Sequence, residues 1–261
     1  MKALLLKHAT VVNEGNVFVA DVLIENGLIS EIGLISNERD KIIIDATGKL
    51  LLPGVIDTHV HFREPGPTHK GDIYSESRAA IAGGTTSYIE MPNTIPNTLS
   101  DFHLKEKALI AATRSLANYS FYLGINTENF NELISTDNSV TAAITDDGLY
   151  FSGKGNMLSN NTEYMGKLFA SLDKIIALHC EDEEIIDENI AAAISQFGQD
   201  IPVEMHSKIR NEEACYRATF RAKRLAHKHN ARLHVLHLST AREAALFDND
   251  LPLTQKRQTA E

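Results

Sequence analysis

The sequence predicts an α/β fold, a parallel sheet forming an incomplete (β/α) barrel with a small β-unit in front of it. Three observations predict it. The first 50 residues read as short strands. Beyond Pro53-Gly54, runs that are apolar almost throughout alternate with stretches of helical period. Polar residues gather at the C-terminal ends of those runs, where α/β proteins place their chemistry. Many different strands contribute to that gathering, which favours a barrel over an open doubly wound sheet.

In order along the chain, Ala3–Val12, Val17–Ile24 and Leu28–Ile35 are apolar-rich strands, and Glu25-Asn26-Gly27 is a hairpin signal between the last two. Lys41–Ile44 adds a short strand. Residues 1–53 are therefore expected to form part of a β-sandwich. Residues 54–261 carry the barrel, with strand-like runs at Gly54–His61, Thr85–Pro92, Asn118–Ile125, Val140–Asp146, Lys174–Asp182 and Arg232–Ser239. Helices are expected near Tyr74–Ala82, Leu104–Leu116, Thr162–Leu172, Glu183–Ser195 and Glu212–His229. That is about six of the eight βα units of a full barrel, consistent with roughly 31 residues per unit.

Composition narrows the function. The 261 residues hold 25 Lys and Arg against 35 Asp and Glu, a net charge of −10, which argues against a nucleic-acid backbone as partner. With 43% hydrophobic and 23% charged residues the chain is not disordered. Two cysteines, Cys180 and Cys215, cannot make a disulfide framework and suit a reducing compartment. The apolar run Ala3–Leu6 is too short for a secretory signal, and no segment approaches the ~18 apolar residues of a membrane span. A cytoplasmic protein with no membrane partner is expected. No Gly-x-Gly-x-x-Gly or Walker loop follows the first strand, so nucleotide binding has no support.

The strongest local signal is Asp57-Thr58-His59-Val60-His61-Phe62-Arg63-Glu64-Pro65-Gly66. Residues two apart on a strand share a face, so His59 and His61 project together and could ligate one zinc ion at about 2.0–2.1 Å. Further blocks follow: Gly83-Gly84-Thr85-Thr86, Met91-Pro92-Asn93-Thr94, Thr145-Asp146-Asp147-Gly148, Ala177-Leu178-His179-Cys180-Glu181 and His234-Val235-Leu236-His237-Leu238-Ser239-Thr240. In order and spacing these resemble dihydroorotase of the amidohydrolase superfamily, whose barrel is of the metal-dependent hydrolase kind.

The resemblance implies a binuclear zinc centre, with His59 and His61 on the first metal and His179 and His237 on the second. His234, three residues before His237, points to the other face of a strand, so only one of the two can be a ligand; His237 is nearer the strand's C-terminal end. Many relatives bridge the metals with a carboxylated lysine ahead of a Gly-Asn-Met-Leu block. Here Gly155-Asn156-Met157-Leu158 is present, but the upstream position is Asp147, which resembles a subset of the family that uses an aspartate. Asp146 is the alternative ligand, and Lys154 lies too far along the loop. Arg63 and Asn93 resemble the residues that hold the substrate carboxylate, a role suited to a guanidinium's paired hydrogen bonds.

The resemblance further implies hydrolysis of the cyclic amide of dihydroorotate to N-carbamoyl-aspartate, run in reverse in pyrimidine synthesis. The family's general base is an aspartate at the end of the eighth strand; no counterpart is found, since Asp248 and Asp250 lack strand context. Little activity is therefore expected of the 261 residues alone. The expected partners are the small-molecule substrate, a second copy in a homodimer, a second polypeptide completing the barrel, or aspartate transcarbamoylase. Two readings compete: a hydantoinase- or allantoinase-like hydrolase, and a catalytically silent structural relative.

Overall fold

A long first strand organises the N-terminal part of the chain. In the computed structural model, which describes residues 2–137, 141–147, 161–247 and 258–260, the chain divides into two units, Met1–Val55 and Ile56–Glu261. In the first, β1 (Ala3–Asn13) pairs antiparallel with β2 (Asn16–Glu25), which pairs antiparallel with β3 (Leu28–Gly33). Asn26 and Gly27 both have positive φ, the left-handed pair that a two-residue hairpin requires. On its other side β1 takes β4 (Lys41–Asp45) and then β5 (Leu50–Leu51), both parallel. The result is one mixed five-stranded sheet.

The register of β1 slips between Leu6 and Ala9, at a bulge where His8 turns left-handed. The buried Asp21 carboxylate accepts the His8 N–H at 2.9 Å and the Ile35 N–H at 3.1 Å, so it holds both the bulge and the end of the third strand. Those amide donors keep the Asp21 pKa below the usual carboxylate value.

The second unit is the expected alternation of strands and helices. Its parallel strands are β6 (Val55–Val60), β7 (Thr85–Glu90), β8 (Asn118–Gly124), β9 (Ala143–Thr145), β10 (Ile175–Leu178), β11 (Arg232–Val235) and β12 (Gln258–Ala260). They lie in sequence order across a single sheet, so β6 and β12 form its two edges. Among the described residues the sheet has seven strands, where six were expected. Thr259 of the seventh pairs with His234 of β11; three residues beside Lys256-Arg257 carry no apolar run from which to read a strand. Helix α1 (Ile73–Gly83) starts on a capping box, Asp72 with Ser75, and stops at Gly84, whose φ of 92° suits glycine. There follow α2 (Asp101–Arg114), α3 (Phe130–Ser135), α4 (Thr162–Ser171), α5 (Glu183–Phe197), α6 (His206–Ile209), α7 (Glu212–Lys228) and α8 (Ala241–Ala244).

Period-two burial separates the sheet's faces. One side of its strands, with Phe121, Leu123, Ile144, Ile176, Leu178 and Leu233, packs on the helices. Helix α7 presents Ala218, Ala222 and Ala226 to that core, four residues apart, and small side chains let it lie close. The opposite side of the strands is a smaller cluster of Met91, Tyr122, Ala143, Ala177 and Leu236. No helix among the described residues is long and apolar enough to cross a membrane.

The Asp21 contacts generate a pH prediction. A carboxylate whose folded pKa is depressed stabilises the fold fully above its unfolded pKa of about 3.9 and loses that contribution as pH falls through the folded value. D21N should therefore lower the melting temperature of the N-terminal unit at pH 7. Melts at pH 7 and in steps down to pH 2 should show the gap to wild type narrowing on acidification; a gap that stays constant would contradict the assignment.

Candidate functional site

The predicted site residues sit at the C-terminal ends of four strands. His59 lies in β6 and His61 just beyond it, Asp147 follows β9 by two residues, His179 directly follows β10, and His237 follows β11 by two. In a flat sheet, β6 and β10 would stand four strand spacings apart, roughly 19 Å at about 4.8 Å each. Yet the His59 ring centroid is 5.9 Å from that of His179 and 5.5 Å from that of His237. Only a sheet curled into a barrel-like arc brings those strand ends together. The set closes with His59–His61 at 5.2 Å and His179–His237 at 5.0 Å.

Two of the rings are oriented by hydrogen bonds. His61 Nδ1–H donates to Asn93 Oδ1 at 2.8 Å, and His179 Nδ1–H donates to Asp146 Oδ1 at 2.8 Å. Asp146 also accepts the His179 backbone N–H at 3.1 Å. Each bond fixes the ring's second nitrogen, Nε2, as the lone-pair donor. Burial lowers the His61 pKa to about 4, so the ring is neutral at pH 7. Burial and the neighbouring His179 and His59 lower His237 too. For His179 burial acts downward, but the Asp146 carboxylate outweighs it and the pKa rises. Asp146, the alternative ligand, is thus engaged with His179, whereas Asp147 is buried with Oδ2 lacking a hydrogen-bond partner among the described residues. Desolvation raises the Asp147 pKa, partly offset by His179. His234 turns away from the cluster, bonding through Nδ1 to Thr259 Oγ1 at 2.8 Å on the adjacent strand.

The Arg-Glu-Pro-Gly segment is a built loop. Arg63 is left-handed (φ 68°) and its N–H donates to Glu90 Oε1 at 3.1 Å. Buried Glu64 accepts the Ile73 N–H at 2.9 Å and pairs with Arg114, tying the loop to the start of α1 and the end of α2. Gly66 has φ 101°, and a Cβ there would come within 2.5 Å of Ile95, so only glycine permits the approach. Ile95 N–H donates to Pro65 O at 3.0 Å, joining this loop to the one that carries Asn93. Sequence reasoning missed Glu64, Glu90 and Lys107 as parts of this support. The readable signals were a carboxylate ending an apolar strand and a lysine on the apolar side of α2, three residues after Leu104.

The donors suit a metal in kind and spacing. An imidazole bound at 2.0–2.1 Å has its centroid about 3 Å from the ion, which puts two ligands of one tetrahedral site about 5 Å apart. The observed ring separations match, and Asp147 Oδ2 is a buried acceptor with no hydrogen-bond partner among the described residues. As the side chains stand, no group of three or more His, Cys, Asp or Glu among the described residues is gathered so as to hold a metal ion. Gly155-Asn156-Met157-Leu158, Lys154, Asp248 and Asp250 lie outside the described residues. Cys180 is buried, and burial pushes its thiol far above the usual range, as expected of a packing residue rather than a ligand.

Comparison with known proteins places this arrangement. A family model described as dihydro-orotase-like matches residues 48–238. The dihydroorotase of Carboxydothermus hydrogenoformans is 35% identical over 248 residues, covering 91% of this chain and 54% of that protein. That of Methanosphaera stadtmanae is 30% identical over 250 residues, covering 95% and 56%. The chain spans about half the length of the curated relatives it matches. Among solved structures, the L-hydantoinase (dihydropyrimidinase) of Arthrobacter aurescens superposes with a TM-score of 0.82 at 25% identity, over 94% of this chain and 55% of that one. A D-hydantoinase from Bacillus sp. AR9 gives 0.75 at 27% identity, over 92% and 53%.

The ring orientations are testable without any ligand. In metal-free protein at pH 8, nitrogen-15 spectra of the histidines should show His61 as the neutral Nδ1–H tautomer, and D146A should lower the pH at which His179 loses its second proton. A neutral Nε2–H form of His61 in wild type, or a His179 titration that D146A leaves unmoved, would contradict the site's geometry.

Proposed function

The chain belongs to the dihydroorotase-like family, and on that premise we propose that it carries the metal- and substrate-binding part of a zinc-dependent dihydroorotase, which interconverts dihydroorotate and N-carbamoyl-aspartate. The observation that carries this reading is the meeting of His59, His61, His179 and His237, from three strands, beside the unpartnered Asp147 carboxylate oxygen. His59 and His61 would hold one zinc, His179 and His237 a second, with Asp147 between them. Bound there, zinc supplies Lewis acidity and brings the pKa of water down to about 7.

The chain's own residues supply binding and orientation. Arg63 would take the substrate carboxylate through two parallel charge-assisted hydrogen bonds. The Asn93 carbonyl oxygen is engaged with His61, so its amide NH₂ is the group left to help Arg63 hold the carboxylate. Asn93 and Asp146 keep two imidazoles aimed into the site. The proton must travel between water and the ring nitrogen; the family's aspartate for that step, at the end of an eighth strand, has no counterpart among the seven described strands.

The same reading extends to the rest of the chain. The N-terminal sheet leaves Val17, Val19, Leu28, Ile29 and Leu34 strongly exposed, which supports its being one layer of a β-sandwich in a 1–53 portion, with an eight-stranded barrel continuing from residue 54. The unpaired edges β6 and β12 support a partner segment that closes the barrel, from the same protein or a second polypeptide. A homodimer, or assembly with aspartate transcarbamoylase, and a cytoplasmic location complete the proposal; unpaired cysteines support the last. Retention of all four histidines weighs against the silent structural reading. The hydantoinase-like structures favour a second reading, hydrolysis of a neutral cyclic amide. Arg63 separates the two, because a neutral ring gives it no carboxylate to bind.

Calorimetry with the zinc-loaded chain decides. Dihydroorotate or N-carbamoyl-aspartate should bind in preference to hydantoin and allantoin, and R63M should weaken that binding roughly 10- to 100-fold, the worth of a charge-assisted pair. Preference for the neutral rings would overturn the reading. H59A/H61A should also reduce the bound zinc, read by elemental analysis, while leaving the circular dichroism spectrum unchanged.

A further inference from the structure

Beneath the histidine cluster lies a pair of charges that the proposed chemistry does not use. Glu90 ends β7 and Lys107 sits midway along α2, and neither exposes more than 1% of its surface. Lys107 Nζ stands 2.7 Å from Glu90 Oε2 and donates to Met91 O at 2.9 Å, over the Phe121 ring. Glu90 Oε1, the other oxygen, accepts the Arg63 N–H at 3.1 Å, with the Phe62 amide also acting on the carboxylate.

We propose that Glu90 and Lys107 are positioning residues that hold the Phe62–Arg63 backbone and the Met91 carbonyl, and so set the directions of His61, Arg63 and Asn93. The inference rests on the reading of those three residues given above. Stability is a poor reason for such a pair. Taking two charges out of water is costly, and replacing a buried ion pair with apolar residues of similar volume is often neutral or stabilising. The neighbours of Lys107 on the buried side of α2, Leu104 and Ala111, show what an ordinary core position there holds. A leucine and a methionine would fill the space but could neither accept the Arg63 N–H nor donate to Met91 O.

Those two backbone groups matter because of where they stand. Arg63 takes up left-handed backbone two residues after His61, a conformation that non-glycine residues adopt only when their surroundings impose it. Met91 begins the loop on which Asn93 fixes the His61 ring. Met91 N–H also donates to Val60 O at 3.0 Å, so the β6 and β7 loops are stitched together between the two histidines' strand and the pair. One buried crossbar thus ties both loops to α2. The positive end of Lys107 also lies within electrostatic reach of Asp147.

The test compares the full wild-type chain with E90L/K107M, which removes the bonds but keeps apolar volume, and with E90Q/K107Q, which keeps the bonds without charge. Two quantities are read: amide hydrogen exchange at Phe62 and Arg63, and zinc affinity by competition with a chelator. In wild type the Arg63 amide should be strongly protected; exchange as fast as that of an exposed loop amide would overturn the proposal before any variant is made. E90L/K107M should keep its circular dichroism spectrum, lose protection at Arg63, and bind zinc about 10- to 100-fold more weakly, as changes behind metal ligands do. E90Q/K107Q should recover most of both. A folded E90L/K107M with wild-type protection and affinity would overturn it, as would a folded E90Q/K107Q that loses both. Should E90L/K107M fail to fold, the wild-type exchange and the glutamine pair decide. Exchange needs no metal, so a wild-type chain that binds neither zinc nor dihydroorotate would sink the functional reading alone and leave the positioning role to be judged by protection.

Discussion

The curl of the parallel sheet is the constraint on which everything else here depends. Strand ends that would lie some 20 Å apart in a flat sheet meet so closely that imidazoles on the first, fifth and sixth parallel strands touch. No local motif could do this. His-x-His supplies two rings on one strand, but a site with donors from several strands needs the arc. The arc follows from helices packing on one side of a twisted sheet, with the residues of the other side, such as Ala143 and Ala177, drawn together into a small apolar cluster.

Convergence alone leaves four imidazoles crowded against two buried carboxylates, and the structure meets that cost by division of labour. Asn93 and Asp146 each take one nitrogen of a ring, leaving the other to donate. Asp146 accepts from both the ring and the backbone N–H of His179, while the adjacent Asp147 keeps an oxygen with no hydrogen-bond partner among the described residues and, through desolvation, a raised pKa. Beneath them Glu90 and Lys107 neutralise each other while binding backbone that the rings depend on. Rings, orienting partners and backbone supports thus lean on one another, since a hydrogen bond in poorly solvated surroundings polarises its neighbours.

Much of this was legible in the residues. Apolar runs separated by helical period gave the parallel α/β arrangement, because strands covered on both faces must be apolar throughout. Histidines ending those runs marked the site, and the three-residue offset of His234 from His237 separated the ring in the cluster from the one bonded to Thr259. Other features could not be read. β12 has too few residues to show a period, and it is a strand because β11 offers it an edge. α3, six residues long, is below the length at which periodicity speaks. Asn93 reads in the chain as a substrate contact, and its bond to the His61 ring is a feature that only the geometry reveals. Lys107 lies on the apolar side of α2 with Leu104, but what a lysine bonds there depends on Glu90, 17 positions earlier and on another element.

In the proposed metal centre these histidines and Asp147 belong to one site assembled by the curl of the sheet. Diffraction from crystals of the zinc-loaded chain, collected on both sides of the zinc absorption edge, tests it most directly. Anomalous peaks should fall about 2.0–2.1 Å from ring nitrogens of His59 and His61 and of His179 and His237, with an Asp147 oxygen in contact. Zinc found only elsewhere on the molecule, or a zinc-loaded cluster that excludes Asp147 and one of the two histidine pairs, would contradict it.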